Sequence, residues 1–265
     1  MMRFVDRVEA GRRLADRLSH LQDQDVVVLG LPRGGVPVAF EVARSLRAPL
    51  DVIVVRKIGV PFQPELAMGA VGEEDTLQID PDLVRRAHVS EDELAELERR
   101  ARSEVRRRAL AFREGRPRVP LTGRTVVVVD DGIATGSTAR VACQMARAQG
   151  AARVVLAAPV CARESAIRLQ GEVDELDCIE VPEWFSAVGR FYVDFQQTSD
   201  EEVVELLRRA AGVAAKPAPD PAAADPPVYD ADVEVGAAGQ PSLPGHLTVP
   251  EQAQDGGRVR PRQRQ

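Results

Sequence analysis

Five short runs of aliphatic, largely β-branched residues alternate with stretches of helical spacing, and this alternation limits the fold more than any other feature of the chain. The runs cover residues 26–31, 51–55, 126–129, 154–158 and 176–181. Apart from Asp51, the first four are apolar at consecutive rather than alternate positions, which marks strands buried on both faces. Residues 38–47, 138–149 and 163–170 carry helical patterns between them, and crossovers of this length join parallel neighbours. The pattern predicts an α/β fold with a parallel sheet flanked by helices. An opening helix over 6–21 places Val8, Leu14, Leu18 and Leu21 near one face, and a closing helix covers 200–211. A long helix over 90–114 starts at Ser90 with Glu93 three residues on, the capping-box spacing, with acids leading and arginines following. Its arginines from Arg99 to Arg108 read as a solvated face. The segment RKIGVPFQP, 56–64, is punctuated by glycine and proline and predicts a mobile loop ahead of weaker strands at 66–71 and 76–79.

Composition excludes several classes. A chain of 265 residues with 44% hydrophobic side chains can build one full core. The tail cannot join it: nine of the 19 prolines fall within 213–265, among Ala, Asp, Gly and Gln, with Tyr229 the sole aromatic. Residues 1–212 are therefore expected to form the domain, and 213–265 a disordered Pro/Ala-rich tail. A net charge of −6 argues against a nucleic-acid partner, and Arg258, Arg260, Arg262 and Arg264 read as a solvated end. Cys143, Cys161 and Cys178 are odd in number and lack paired spacing, so neither a disulfide framework nor a zinc site is expected. No apolar run is long enough for a signal peptide or a membrane span, which predicts a soluble cytoplasmic protein without a membrane partner.

The informative segment is VVVVDDGIATGST, residues 126–138. A buried strand delivers Asp130 and Asp131 at its carboxyl end, where open α/β sheets bind ligands. Strand alternation sends the two acids to different groups. Gly132 and Gly136 allow a tight turn, while Thr135, Ser137 and Thr138 set hydroxyls beside the free amides of a helix start, a pocket suited to a phosphate monoester. A P-loop would need a lysine that this turn lacks, and a dinucleotide site would need GxGxxG. A plain βα turn with a capping hydroxyl would leave two adjacent carboxylates unexplained.

This segment resembles the phosphoribosyl pyrophosphate (PRPP) signature of the type I phosphoribosyltransferases, and the resemblance extends over about residues 26–211. It implies a Rossmann-like parallel sheet with a small hood. It also implies that Asp130 and Asp131 hold the ribose hydroxyls of PRPP while Ala134, Thr135, Gly136, Ser137 and Thr138 cradle its 5-phosphate. LPRGGVP, 31–37, resembles the family's pyrophosphate loop, so Arg33, Gly34 and Gly35 are expected to hold the diphosphate, with the basic pair Arg56 and Lys57 bordering it. More loosely, the stretch from Glu183 to Phe195 resembles the base-binding segment of the purine enzymes, with Trp184 and Phe185 as the aromatic wall and Asp194 as the acid near the metal. The 6-oxopurine enzymes carry an aspartate where this chain has Ala134, which removes support for hypoxanthine or guanine and leaves the acceptor base open.

The resemblance implies transfer of the 5-phosphoribosyl group from PRPP to a nitrogenous base with release of diphosphate, a Mg²⁺ cofactor, and a homodimer. Asp130, Asp131, Arg33 and Lys57 are the expected catalytic residues, and residues 58–64 leading into 65–74 the expected lid. A non-catalytic PRPP-sensing protein would share the pocket and is the alternative, because function lies in site detail rather than in fold.

Overall fold

The structure, a computed structural model, describes residues 3–73, 76–213, 229–235 and 243–249. The chain divides into two compact units, Met1–Ala215 and Lys216–Gln265. In the first, the apolar runs become β1 (Val26–Gly30), β2 (Leu50–Val52), β6 (Thr125–Val129), β7 (Arg153–Val160) and β8 (Glu175–Glu180). They form one parallel sheet in the order β2-β1-β6-β7-β8. The runs are continuous because both faces are covered: all five residues of β1 are buried, as are Val126 to Val129 of β6.

Helices α1 (Arg7–Arg17) and α2 (Gly35–Leu46) belong to the core on one face, with the closing α7 (Asp200–Val213), whereas α5 (Ser137–Ala148) and α6 (Arg163–Leu169) belong to the core on the other. Leu14, Leu18 and Leu21 are buried as their spacing predicts, but Val8 is exposed. The chain leaves β1 through α2 towards β2 on one side and leaves β6 through α5 towards β7 on the other. The sheet order therefore reverses between β1 and β6, and the crevice at their carboxyl ends is where a doubly wound sheet receives ligands.

The hood departs from expectation. Residues 56–64, expected as a loop, contain β3 (Arg56–Val60), which turns through Pro61 and Phe62 into β4 (Gln63–Val71) and then β5 (Leu77–Ile79), an antiparallel sheet. Register shifts at Ile58, Gly59 and Val60 absorb the glycine, and a short hood sheet tolerates proline near its hairpin. Ile58 and Val60 point inward. The lid expected over 58–64 is thus part of a paired hairpin. Helix α3 (Pro81–Arg86), which the periodicity does not announce, starts on an Asp80 cap that accepts the Leu83 N–H at 2.9 Å, with proline in the first turn.

Helix α4 (Glu91–Arg113) follows with the predicted capping box at Ser90 and Glu93. Its arginines pair along the helix, Arg102 with Glu98 at 2.6 Å and Arg108 with Glu104 at 3.2 Å. Among the described residues no helix is long and apolar enough to cross a membrane. In the second unit, β9 (Tyr229–Val235) pairs antiparallel with β10 (Leu243–Val249). The rest of the expected tail beyond Val213 lies outside the described residues.

Candidate active site

Two loops meet over the β1/β6 crevice. After β1, Leu31 donates its N–H to Val129 O at 2.9 Å and Gly35 donates to Leu31 O at 3.0 Å, which folds LPRGG tightly over the end of β6. The Pro32–Arg33 peptide is cis. Gly35 is required by proximity: a Cβ there would lie 2.6 Å from Val129 O and 2.9 Å from Asp130 Cα. The Leu31–Gly35 turn and the acid pair are therefore in direct backbone contact.

Both acids are partly buried. Asp130 Oδ1 accepts the Asp131 N–H at 2.9 Å. Burial, and then the neighbouring Asp131 carboxylate, push Asp130 up to about 8. Burial also raises Asp131, but Arg7 opposes it, donating from Nε at 2.8 Å and from Nη2 at 2.7 Å, both to Oδ2. The guanidinium favours charge on Asp131, so the proton that the pair retains near neutral pH belongs on Asp130. The two neighbours thus differ in their partners, Arg7 donating to Asp131 while Asp130 accepts the Asp131 N–H.

Beyond them the turn at residues 132–136 opens α5. Gly136 takes φ of +72° at the N-cap, a left-handed turn suited to glycine, and no side chain caps this helix. Its leading amides thus have no side-chain cap, the arrangement that suits an anion. Thr135 Oγ1 and Ser137 Oγ lie 3.2 Å apart. Two residues from α6 brace the loop: Ser165 donates to Ala134 O at 2.6 Å, and Arg168 to Thr135 O at 3.2 Å. A cavity of about 270 Å³ opens beside it, lined by Thr135, Gly136 and Ser137 on the loop side and by Lys57, Gln78 and Asp80 on the hood side.

The other expected site residues are placed less uniformly. Lys57 reaches the cavity, but it does so from the hood strand β3 rather than from the end of β2. Its neighbour Arg56 is turned to Glu104 of α4 at 3.2 Å. Arg33 is partly exposed, and its Nη1 lies 3.7 Å from Asp200 at the start of α7. Trp184 is 88% exposed, whereas Phe185 stacks on Phe191 at 5.6 Å between centroids. Neither lines the cavity, and neither do Asp130 and Asp131. Asp194 is exposed, and its Oδ1 accepts the Gln196 N–H at 3.1 Å. Among the described residues no group of three or more His, Cys, Asp or Glu side chains converges as a metal cage.

Sequence reasoning does not find Arg7, Ser165, Arg168 or Tyr192. Tyr192 donates from its hydroxyl to Asp131 O at 2.6 Å and so fixes the backbone beneath the acid. Burial and the Asp131 charge raise the tyrosine hydroxyl well above its ordinary range, so it remains a donor. These residues stand 31 or more positions from their partners, and no local pattern links them.

The phosphoribosyl transferase domain model matches residues 6–196. Two curated relatives from Mycobacterium tuberculosis carry the names "Putative phosphoribosyl transferase Rv0571c" (strain ATCC 25618 / H37Rv) and "Putative phosphoribosyl transferase MT0597" (strain CDC 1551 / Oshkosh). Each is 55% identical over 251 residues, covering 95% of this chain and 56% of the relative. The chain thus spans about half the length of these curated relatives. Among solved structures, TT1426 from Thermus thermophilus is 44% identical with a TM-score of 0.71, covering 78% of this chain and 99% of that one. The family match runs through the acid pair and both loops around the crevice, and the chain belongs to the phosphoribosyl transferase family.

Proposed function

We propose that the protein transfers the 5-phosphoribosyl group of PRPP to the nitrogen of a base and releases diphosphate. One observation carries this reading: an uncapped helix start at Gly136 and Ser137 follows an acid pair that is in backbone contact with the Arg33–Gly34–Gly35 turn. A sugar phosphorylated at both ends suits that order of groups. The amides of residues 134–138 would hold the 5-phosphate, Asp130 and Asp131 the ribose hydroxyls, and Arg33 with the Gly34 and Gly35 amides the diphosphate. As the bond from C1 to diphosphate breaks, the ribose gains positive charge, which the Asp131 carboxylate favours, and the leaving group gains negative charge, which Arg33 and Lys57 favour. The hood hairpin, bringing Lys57 over the phosphate loop, shields the sugar from water.

The donor set fits Mg²⁺ delivered with the diphosphate rather than held in a protein cage, because that ion keeps most of its shell as water and phosphate oxygens and needs one or two carboxylates. Exposed Asp194 would supply one of them. When bound, the ion would neutralise charge on the leaving group. Phe185, braced on Phe191, and Trp184 are the aromatic candidates for the base.

Incubation of the full chain with PRPP, Mg²⁺ and a panel of nitrogenous bases, beside a control without base, tests the reaction. Base-dependent diphosphate release is expected; PRPP binding with no release from any base would replace it by a PRPP-sensing role. The unit that does this work is residues 1–212. A chain ending at Gly212 is expected to bind PRPP within about twofold of the full chain by calorimetry, and loss of binding would assign the remaining residues to the site.

A further inference from the structure

Arg7 is the first residue of α1, directly after the Asp6 cap, whose carboxylate accepts the Glu9 N–H at 2.7 Å. A basic side chain in a helix's first turn is opposed by the helix dipole, so its placement there calls for a partner. It has several. Besides its two contacts to Asp131 Oδ2, Arg7 donates from Nη1 to Gln196 O at 2.7 Å. Its guanidinium carbon also lies 4.0 Å from the centroid of the Phe195 ring. The side chain is only 12% exposed, and the long stem is fixed at every donor named.

The diphosphate loop backs onto this pair. A Cβ at Gly34 would fall 2.0 Å from Asp131 Oδ2 and 3.3 Å from Arg7 Nε. Oδ2 is therefore enclosed between the guanidinium and the Gly34 backbone, and Oδ1 is the oxygen that Arg7 leaves unengaged. Arg7 thus ties together three parts of the crevice: the diphosphate loop, the second acid and the segment that carries Asp194, Phe195 and Gln196.

We propose that Arg7 is a positioning residue for phosphoribosyl transfer, clamping Asp131 by Oδ2 against Gly34 so that Oδ1 meets the sugar hydroxyl in one fixed orientation. This rests on the transferase reading above. The arrangement requires a planar, forked donor: two of its nitrogens grip one carboxylate while the third holds a carbonyl. Lysine has a single ammonium and cannot reproduce that.

The test is a double-mutant cycle on R7M and D131N, reading PRPP affinity by calorimetry and kcat/KM by diphosphate release, with thermal melts to confirm that each variant folds. R7M is expected to weaken both by about tenfold to a hundredfold, the scale on which a misplaced group near the reacting centre acts. R7K is expected to recover less than half of that loss on a logarithmic scale. In the D131N background, R7M is expected to change PRPP affinity by less than about twofold, because the group it positions is gone. A folded R7M with wild-type affinity and turnover would overturn the proposal, and so would a full R7M loss persisting in D131N, which would mean that Arg7 acts elsewhere. If the wild-type chain itself neither binds nor turns over PRPP, the transferase reading fails first and the proposal falls with it, an outcome distinct from the other two.

Discussion

Asparagine at position 130 or 131 is expected to lower PRPP-dependent diphosphate release by about 10²–10³-fold, the scale of removing a preorganised electrostatic group, while the two variants move stability in opposite directions. D130N removes a carboxyl that burial and Asp131 raise to about 8. Unfolded, Asp130 ionises at its ordinary 3.8, so between these values the native state holds the extra proton and stability falls as pH rises. An amide does not titrate and can still accept the Asp131 N–H. D130N is therefore expected to melt at or above the wild-type temperature near pH 8, with the difference shrinking as pH falls and closing only below about 3.8, where the wild-type carboxyl is neutral in the unfolded chain as well.

D131N has the reverse effect. It removes the negative charge facing Arg7, whose side chain is 12% exposed, and a largely buried guanidinium without its carboxylate costs about 1–3 kcal/mol. Thermal melts across pH 5 to 9 on both variants separate the two acids. Equal behaviour would contradict the placement of the shared proton on Asp130. Near-wild-type diphosphate release from either variant would remove that acid from the reaction.

The acid pair is legible in the sequence because everything that identifies it is local. Four consecutive valines make a strand buried on both faces, so the residues that follow must emerge at the sheet's carboxyl edge, and glycine at 136 then allows the turn into a helix. The same locality explains the capping box at Ser90. Sequence spacing cannot show that Asp131 is held by Arg7, 124 residues away, nor that Ser165 and Arg168 brace the Ala134–Thr135 backbone from a helix one crossover later. Such contacts exist only once the sheet order has brought α1 and α6 to the crevice.

The hood is illegible for a different reason. Gly59, Pro61 and Pro64 punctuate the segment as they would a loop, but a two-stranded turn with register shifts accommodates all three. Lys57 stands out in the sequence as a basic residue, yet its apparent place at the end of β2 is wrong, because a separate hood strand delivers it to the cavity. Arg113 escapes for the opposite reason. It ends an arginine-rich helix whose exposed members are solvated or paired, and nothing in the local pattern marks it as buried.

That buried arginine connects the hood to the sheet. Arg113, at the end of α4, donates from Nε to Asp51 of β2 at 2.8 Å, and from Nη2 to Val52 O at 2.9 Å and to Glu73 at 3.2 Å. Asp51 also accepts the N–H groups of Val52 and Val119, at 2.7 and 3.1 Å, and Glu73, just beyond β4, accepts that of Val54 at 3.3 Å. All three side chains are buried. Burial works against the charge on Arg113, but the hydrogen bonds and charges of Glu73 and Asp51 outweigh it and raise the guanidinium above its ordinary value.

Removing the cation leaves two buried carboxylates facing each other. R113M is expected to cost about 3–5 kcal/mol in denaturant unfolding, a large share of the roughly 5–15 kcal/mol typical of a folded domain. Making both acids neutral beside R113M, with D51N and E73Q, is expected to recover most of the loss, since the dominant cost is uncompensated charge rather than lost volume. An R113M deficit that survives the neutral partners would mean that the arginine stem, packed among the hood and sheet, supplies the stability instead.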